Sequence, residues 1–182
     1  MPKNFEKIRK LNPLEEFYDV AVSQFNFMIA SYWLQLDSRQ PINPTVVQQA
    51  LSLLFRYTDN LSLCIRNIEE TSWFCRMAEE KIDFEVLRKK FPRDIMEEEI
   101  TKNFNSEDGP LWRAKLVFEN NEANESSANE KPSNICNILF TFHHAIMDGF
   151  TTFNMCNNFL KILNDLVEGT VKETYEGLWN IW

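Results

Sequence analysis

The sequence predicts a mixed α/β layer, a largely antiparallel sheet packed with helices. Three observations carry that prediction. Alternating or continuously apolar segments bounded by turn signals are interleaved with stretches of helical periodicity, their order is strand, helix, hairpin, helix, strand, strand, helix, and no internal repeat interrupts them.

A polar start leads through "LNPLEEFYDV" into "SQFNFMIASYWLQL", whose aromatic and β-favouring content predicts a first strand over about Phe25 to Leu36. Pro41 and Pro44 open a helix in "NPTVVQQALSLLFRYTD", where Val46, Val47, Ala50, Leu51, Leu54 and Phe55 recur on one inward face. "LSLCIRNIEETSWFCRMAEE" reads as a hairpin, two alternating segments around a polar centre, and "IDFEVL" as a short further strand. "PRDIMEEEITKNFN" returns to helical spacing, with Pro92 at its start and acidic residues early, where the helix dipole favours them.

A turn signal then precedes the alternating strand "GPLWRAKLVFEN". Residues 119–134, "ENNEANESSANEKPSN", offer almost nothing apolar to bury and predict an exposed, mobile hairpin loop. "ICNILFTFHH" is apolar almost throughout, as suits a strand covered on both faces. The last helix, "GFTTFNMCNNFLKILNDLVEG", places Phe153, Cys156, Phe159, Leu160, Leu163 and Leu166 along one side, with Gly169 as its C-cap.

The 182 residues suit a single unit over 1–182 with one buried core, and a hydrophobic fraction of 44% is that of a folded chain. A formal charge of −8 opposes attraction to phosphate backbones and anionic surfaces, so nucleic acid is not an expected partner. No apolar run reaches the roughly 18–20 residues of a membrane span. "MPKNFEKIRK" lacks the core of a secretory signal, which makes a cytoplasmic location the expectation. Cys64, Cys75, Cys136 and Cys156 have no CxxC spacing and sit among apolar neighbours, as reduced core thiols do; a Cys64–Cys75 cross-strand pair is the alternative. The glycosylation-like triplets at Asn60 and Asn124 carry no weight without a secretory route. Four glycines, none in a phosphate-cradling pattern, argue against a nucleotide-binding loop.

Both histidines of the chain stand side by side in "FTFHHAIMDGF". Side chains of successive strand residues point to opposite faces, so His143 and His144 cannot converge on one metal ion, and no HxH, HExxH or cysteine cluster supplies further ligands. One histidine should enter the core and the other face elsewhere. Asp148 is suited to cap the following helix, and Gly149 to an unusual backbone angle or close packing. The pair serves either packing and local hydrogen bonding or proton transfer, for which an imidazole titrating near neutral pH is fitted. Thr141, Thr151 and Thr152 are hydrogen-bond donors near the motif, a role that competes with capping.

His143 to Gly149 reads HHxxxDG, which resembles the motif of the chloramphenicol-acetyltransferase-like superfamily: condensation domains, BAHD acyltransferases, alcohol acetyltransferases and related enzymes. "LNPLEEFYD" is similar to that family's L-x-P-x-E opening and "GPLWRAKLVF" to its PL-x-R strand. The resemblance implies the first half of a chloramphenicol-acetyltransferase-like fold. It implies that His144 is the general base, that His143 is structural or helps shape the site, that Asp148 holds the turn by pairing with an arginine, and that Gly149 keeps the approach open. An acyl-CoA or acyl-carrier thioester would be co-substrate and a small alcohol or amine the acceptor, with no permanent cofactor and no metal.

The family's second half and its DFGWG-type segment have no counterpart; "EGLWN" is unlike it. Activity of the isolated chain is therefore left open, a second half or a second copy is the protein partner to expect, and a non-catalytic binding module is the alternative reading. Leu178, Trp179, Ile181 and Trp182 are apolar residues near the end that fit a need for a partner.

Overall fold

The computed structural model describes residues 5–88, 90–118, 135–172, 174 and 175. In chain order the elements are β1 (Glu6–Lys10), α1 (Pro13–Phe25), β2 (Ile29–Asp37), α2 (Pro44–Tyr57), a 3₁₀ turn (Asp59–Ser62), β3 (Leu63–Ile68), β4 (Thr71–Arg76), β5 (Asp83–Arg88), α3 (Pro92–Glu99), β6 (Trp112–Phe118), β7 (Ile135–His143) and α4 (Gly149–Val167). Four strands form one sheet in the order β2-β7-β6-β5, and β1-β4-β3 form a smaller one. Every pairing is antiparallel except β5 with β6, which α3 joins as a crossover. This is the mixed, largely antiparallel α/β architecture that the sequence predicts.

β7 occupies the interior of the larger sheet, paired to β2 along Ile29↔His143 through Asp37↔Ile135 and to β6 on its other side. Its near-continuous apolar run fits that place, because both faces are covered: every residue from Cys136 to His143 is buried. Ile138, Phe140 and Phe142 join the core made with Val47, Ala50, Leu51 and Leu54 of α2 and Met155, Cys156 and Phe159 of α4. Phe140 meets Phe159 edge to face, with ring centroids 5.2 Å apart. Leu139, on the opposite face, packs with Val117 and with Ile95 of α3. Full burial of one such side chain stabilises by roughly 1.5–3 kcal/mol.

β6 is covered on both faces as well, although it carries two cations. Lys115 lies 3.0 Å from Glu85. Arg113 approaches Glu99 at 3.0 Å and donates to the carbonyls of Glu99, Lys102 and Asn103 at 3.2, 2.7 and 3.1 Å. Those carbonyls belong to the end of α3 and the residues after it, so one guanidinium takes up groups that a terminating helix leaves unpaired. The helix accordingly stops at Glu99, short of the segment whose spacing looked helical.

Three expectations are corrected. The strand predicted from Phe25 begins at Ile29, because Phe25 ends a helix that the sequence reading did not assign: Asn12 caps α1 and Glu15 returns the capping-box bond, Pro13 occupies its first turn, and Asn26 closes it in the left-handed region. Phe25 and Phe27 are exposed rather than seated on a pleated face. Phe153 is exposed too, since α4 buries the stripe Thr152, Met155, Cys156, Phe159, Ile162 and Leu163. Gly149 has an ordinary backbone, and a Cβ there would stand 3.6 Å from Tyr32 Oη, normal contact. Gly109 is the glycine that is required, with φ +56° and Met77 Sδ only 2.6 Å from where a Cβ would lie.

All four cysteines are buried and unbridged. Burial pushes the thiols of Cys64, Cys136 and Cys156 up to about 11, so at neutral pH they stay protonated. The 119–134 loop and Leu178, Trp179, Ile181 and Trp182 lie outside the described residues.

The β3–β4 hairpin turns through Glu69 and Glu70 at φ 52° and 62°. A two-residue turn with both φ positive favours Asn-Gly, and non-glycine residues there cost about 1 kcal/mol each. The Glu69→Asn, Glu70→Gly double variant is expected to raise stability by about 1 kcal/mol, read as an increased urea midpoint at unchanged slope.

Candidate active site

The two histidines part at the end of β7. His143, the last strand residue, is fully buried. Its Nδ1 accepts from the Ala145 N–H at 3.1 Å, so the proton of the neutral ring sits on Nε2, which faces Asp19 Oδ1 of α1 at 3.3 Å. That carboxylate oxygen also accepts from Ser106 Oγ at 2.6 Å, and Phe104 closes on the ring edge at 6.0 Å. His143 is thus a packed ring bonded to the backbone through Nδ1, with Nε2 turned toward a carboxylate without a hydrogen bond to it.

His144 begins the turn and lines an open cleft of about 270 Å³, half-buried. Its backbone N–H donates to Met28 O at 3.2 Å. Its ring stacks on Tyr18 of α1, centroids 4.5 Å apart and planes at 27°. Nδ1 is sealed without a hydrogen-bond partner, which leaves Nε2 as the nitrogen able to meet a ligand. A strand end thus sends one imidazole into the core and the next to solvent, as the alternation requires.

The other motif residues shape the corner. Asp148 caps α4, its Oδ1 accepting from Thr151 N at 2.7 Å, while its carbonyl accepts from Thr152 Oγ1 at 2.8 Å. Among the described residues no arginine pairs with it; Arg113, in the strand that resembles PL-x-R, is committed to Glu99. Thr151, through its backbone N–H, and Thr152, through its hydroxyl, are thus donors to Asp148 at the helix start, and Thr141 bonds Ser31 across the sheet at 3.1 Å, away from the cleft. Gly149 starts the helix beside the cleft.

Residues not singled out from the sequence complete the site. Asn60, buried, donates from Nδ2 to Ile146 O at 3.0 Å and so fixes the turn after the histidines. Glu15 lines the cleft, but both its oxygens are taken by Arg9 at 2.7 and 2.6 Å. The readable signal for this part was the Asn-Pro-Leu-Glu start of α1, a capping box that brings Tyr18 and Asp19 round to the two histidines. A larger groove of about 760 Å³ lies at the far end of β2 against the last turns of α4, but no imidazole faces it. Among the described residues no three His, Cys, Asp or Glu side chains are grouped as a metal site would need, and no helix is long and apolar enough to cross a membrane.

Chemically, the cleft offers one imidazole nitrogen without a hydrogen-bond partner beside a capped helix start, flanked by carboxylates bonded to Arg9 and Thr151. A nitrogen so placed can accept a hydrogen bond from a ligand or donate one to it.

The fold has counterparts among solved structures. The starter condensation domain of rhizomide synthetase RzmA superimposes with a TM-score of 0.73 at 16% identity, over 94% of this chain and 40% of that one. A variant of that domain in complex with C8-CoA and Leu-SNAC gives a TM-score of 0.73 at 15% identity, over 92% and 38%. The first condensation domain of the CDA synthetase gives 0.72 at 13%, over 93% and 42%. This chain therefore has the fold of part of a condensation domain and spans about two fifths of the length of these structures. No protein-family model and no curated protein sequence matches it.

The Thr151 N–H beside Asp148 holds its carboxyl below the usual carboxylate range. A depressed folded value means that the group stabilises above the unfolded carboxylate pKa and that this contribution is lost as pH falls through the folded one. Asp148→Ala is expected to cost about 1 kcal/mol at pH 7, within the usual range for a lost cap. Asp148→Asn, which keeps an acceptor, should cost less at pH 7 and show less loss of stability in acid. Urea unfolding from pH 7 down to pH 3 checks both.

Proposed function

We propose that this chain is the motif-bearing half of an acyltransferase. It would move an acyl group from a coenzyme A or carrier-protein thioester to an alcohol or amine, with His144 as general base. The observation that carries the reading is the separation of the two histidines: His143 is sealed and bonded, whereas His144 keeps a ring nitrogen for the cleft. The fold shared with condensation domains, one solved with C8-CoA and Leu-SNAC, supports a thioester as the acyl source.

In the proposed step the acceptor O–H or N–H gives its proton to His144 Nε2 while its lone pair attacks the thioester carbonyl carbon. The tetrahedral adduct collapses by breaking the C–S bond, and the departing thiolate takes the proton back from the imidazolium. The products are an ester or amide and a free thiol, and His144 is restored. A thioester is already activated, so the chain need only orient the reactants and handle one proton. Asp148, through its cap, and Asn60, through Ile146 O, hold the segment that carries the base. His143, bonded to Ala145 N and beside Asp19, keeps the preceding strand end in place.

The remaining length of the matched domains corresponds to a second protein part, supplied by more chain, by a second half or by another copy. With that part present, His144→Ala is expected to lower acyl transfer by about 10²–10⁴-fold, the usual worth of a general base, while circular dichroism stays native. Unchanged turnover in that variant removes the proposal. Binding of acyl-CoA by the wild-type assembly without turnover of any thioester would instead identify a non-catalytic module.

A further inference from the structure

The backbone that carries His144 is well fixed, by its N–H on Met28 O and by Asn60 on Ile146 O. Its side chain is not fixed in the same manner. A working imidazole is normally oriented by a hydrogen bond at the nitrogen turned away from the reaction, and here that nitrogen, Nδ1, is buried without a partner. No hydrogen bond at Nδ1 therefore sets the ring's rotation. The contact that does define its plane is the stack on Tyr18.

We infer that Tyr18 is the positioning residue for this imidazole, holding it toward the cleft through its ring face instead of through a hydrogen bond. Tyr18 is itself held. It stands on a helix whose first turn is closed by the Asn12–Glu15 capping box and by Arg9. The next residue, Asp19, is anchored by Ser106 Oγ and faces His143. Adjacent residues of α1 thus address adjacent histidines, Asp19 the buried ring and Tyr18 the open one.

Among the described residues the Tyr18 hydroxyl makes no hydrogen bond, so the aromatic face is the part that acts, and phenylalanine should replace it. The stack has a second effect. When His144 takes a proton it becomes a cation lying against an aromatic face, an arrangement more favourable for the charged ring than for the neutral one. Tyr18 would then favour the state formed as the proton moves. This kinetic consequence rests on the acyl-transfer reading; the orienting contact does not.

The chain has only two histidines, so ring-proton spectra of the full chain contain two sets of signals, with buried His143 as the internal report on folding. In Tyr18→Leu the Hα–Hβ couplings of His144 are expected to average over side-chain rotamers while the His143 signals stay in place, and in Tyr18→Phe both should stay. Single-rotamer His144 couplings in Tyr18→Leu overturn the inference, as do averaged ones in Tyr18→Phe. In the assembled enzyme Tyr18→Leu should lower kcat about 2- to 10-fold, the scale of one aromatic pair, with KM for the thioester unchanged and Tyr18→Phe restoring the rate. A raised KM with unchanged kcat would make Tyr18 a substrate contact and overturn the positioning role. If no thioester is turned over at all, the acyl-transfer reading fails, and the His144 couplings still decide the orienting contact.

Discussion

Everything at the cleft depends on a constraint of extended backbone: neighbouring side chains leave a strand in opposite directions. β7 is bonded to a strand on each side and covered on both faces, so it has no freedom to twist its last residues toward one target. His143 must be accommodated in the interior and His144 cannot follow it. The interior solution is a ring whose Nδ1 accepts from Ala145 N–H and whose Nε2 is turned toward Asp19. The exterior position keeps a nitrogen for chemistry.

Helix α1 turns this geometric separation into a site. Its placement begins with Arg9, Asn12 and Glu15, which close the helix start and at the same time neutralise a carboxylate on the cleft wall. The other nearby carboxylate, Asp148, serves the start of α4. With Glu15 held by Arg9 and Asp148 bonded to Thr151, the imidazole and the Tyr18 hydroxyl are left at the cleft without a hydrogen-bond partner among the described residues.

Much of this could be read from the residues, and the failures have identifiable causes. Long periodic segments were legible: the inward face of α2, the continuous run of β7 and the β3–β4 hairpin appear where their spacing places them. Helix α1 was not, because it buries only Ala21 and Val22 and leaves Leu14, Phe17 and Val20 exposed, which erases the apolar stripe that betrays an amphipathic helix. Phe25 and Phe27 then imitated a strand. Phe153 was assigned inward by a spacing that fits its neighbours, but the buried stripe of α4 passes it by. That the two histidines part was legible from alternation, but not which of them enters the core. Tyr18, Asp19 and Asn60 were not, because they reach the motif through tertiary contacts, and a single sequence does not display which distant residues meet.

That distance has a consequence for how the chain matures. β2 must wait for β7, more than a hundred positions later, before its ladder can form, and α1 has no histidines to clasp until the same segment arrives. Loops of that span close slowly. On the ribosome β2 therefore emerges well before its partner strand, with its ladder unpaired, a period in which a chaperone or rapid release counts for more than the strength of any finished contact.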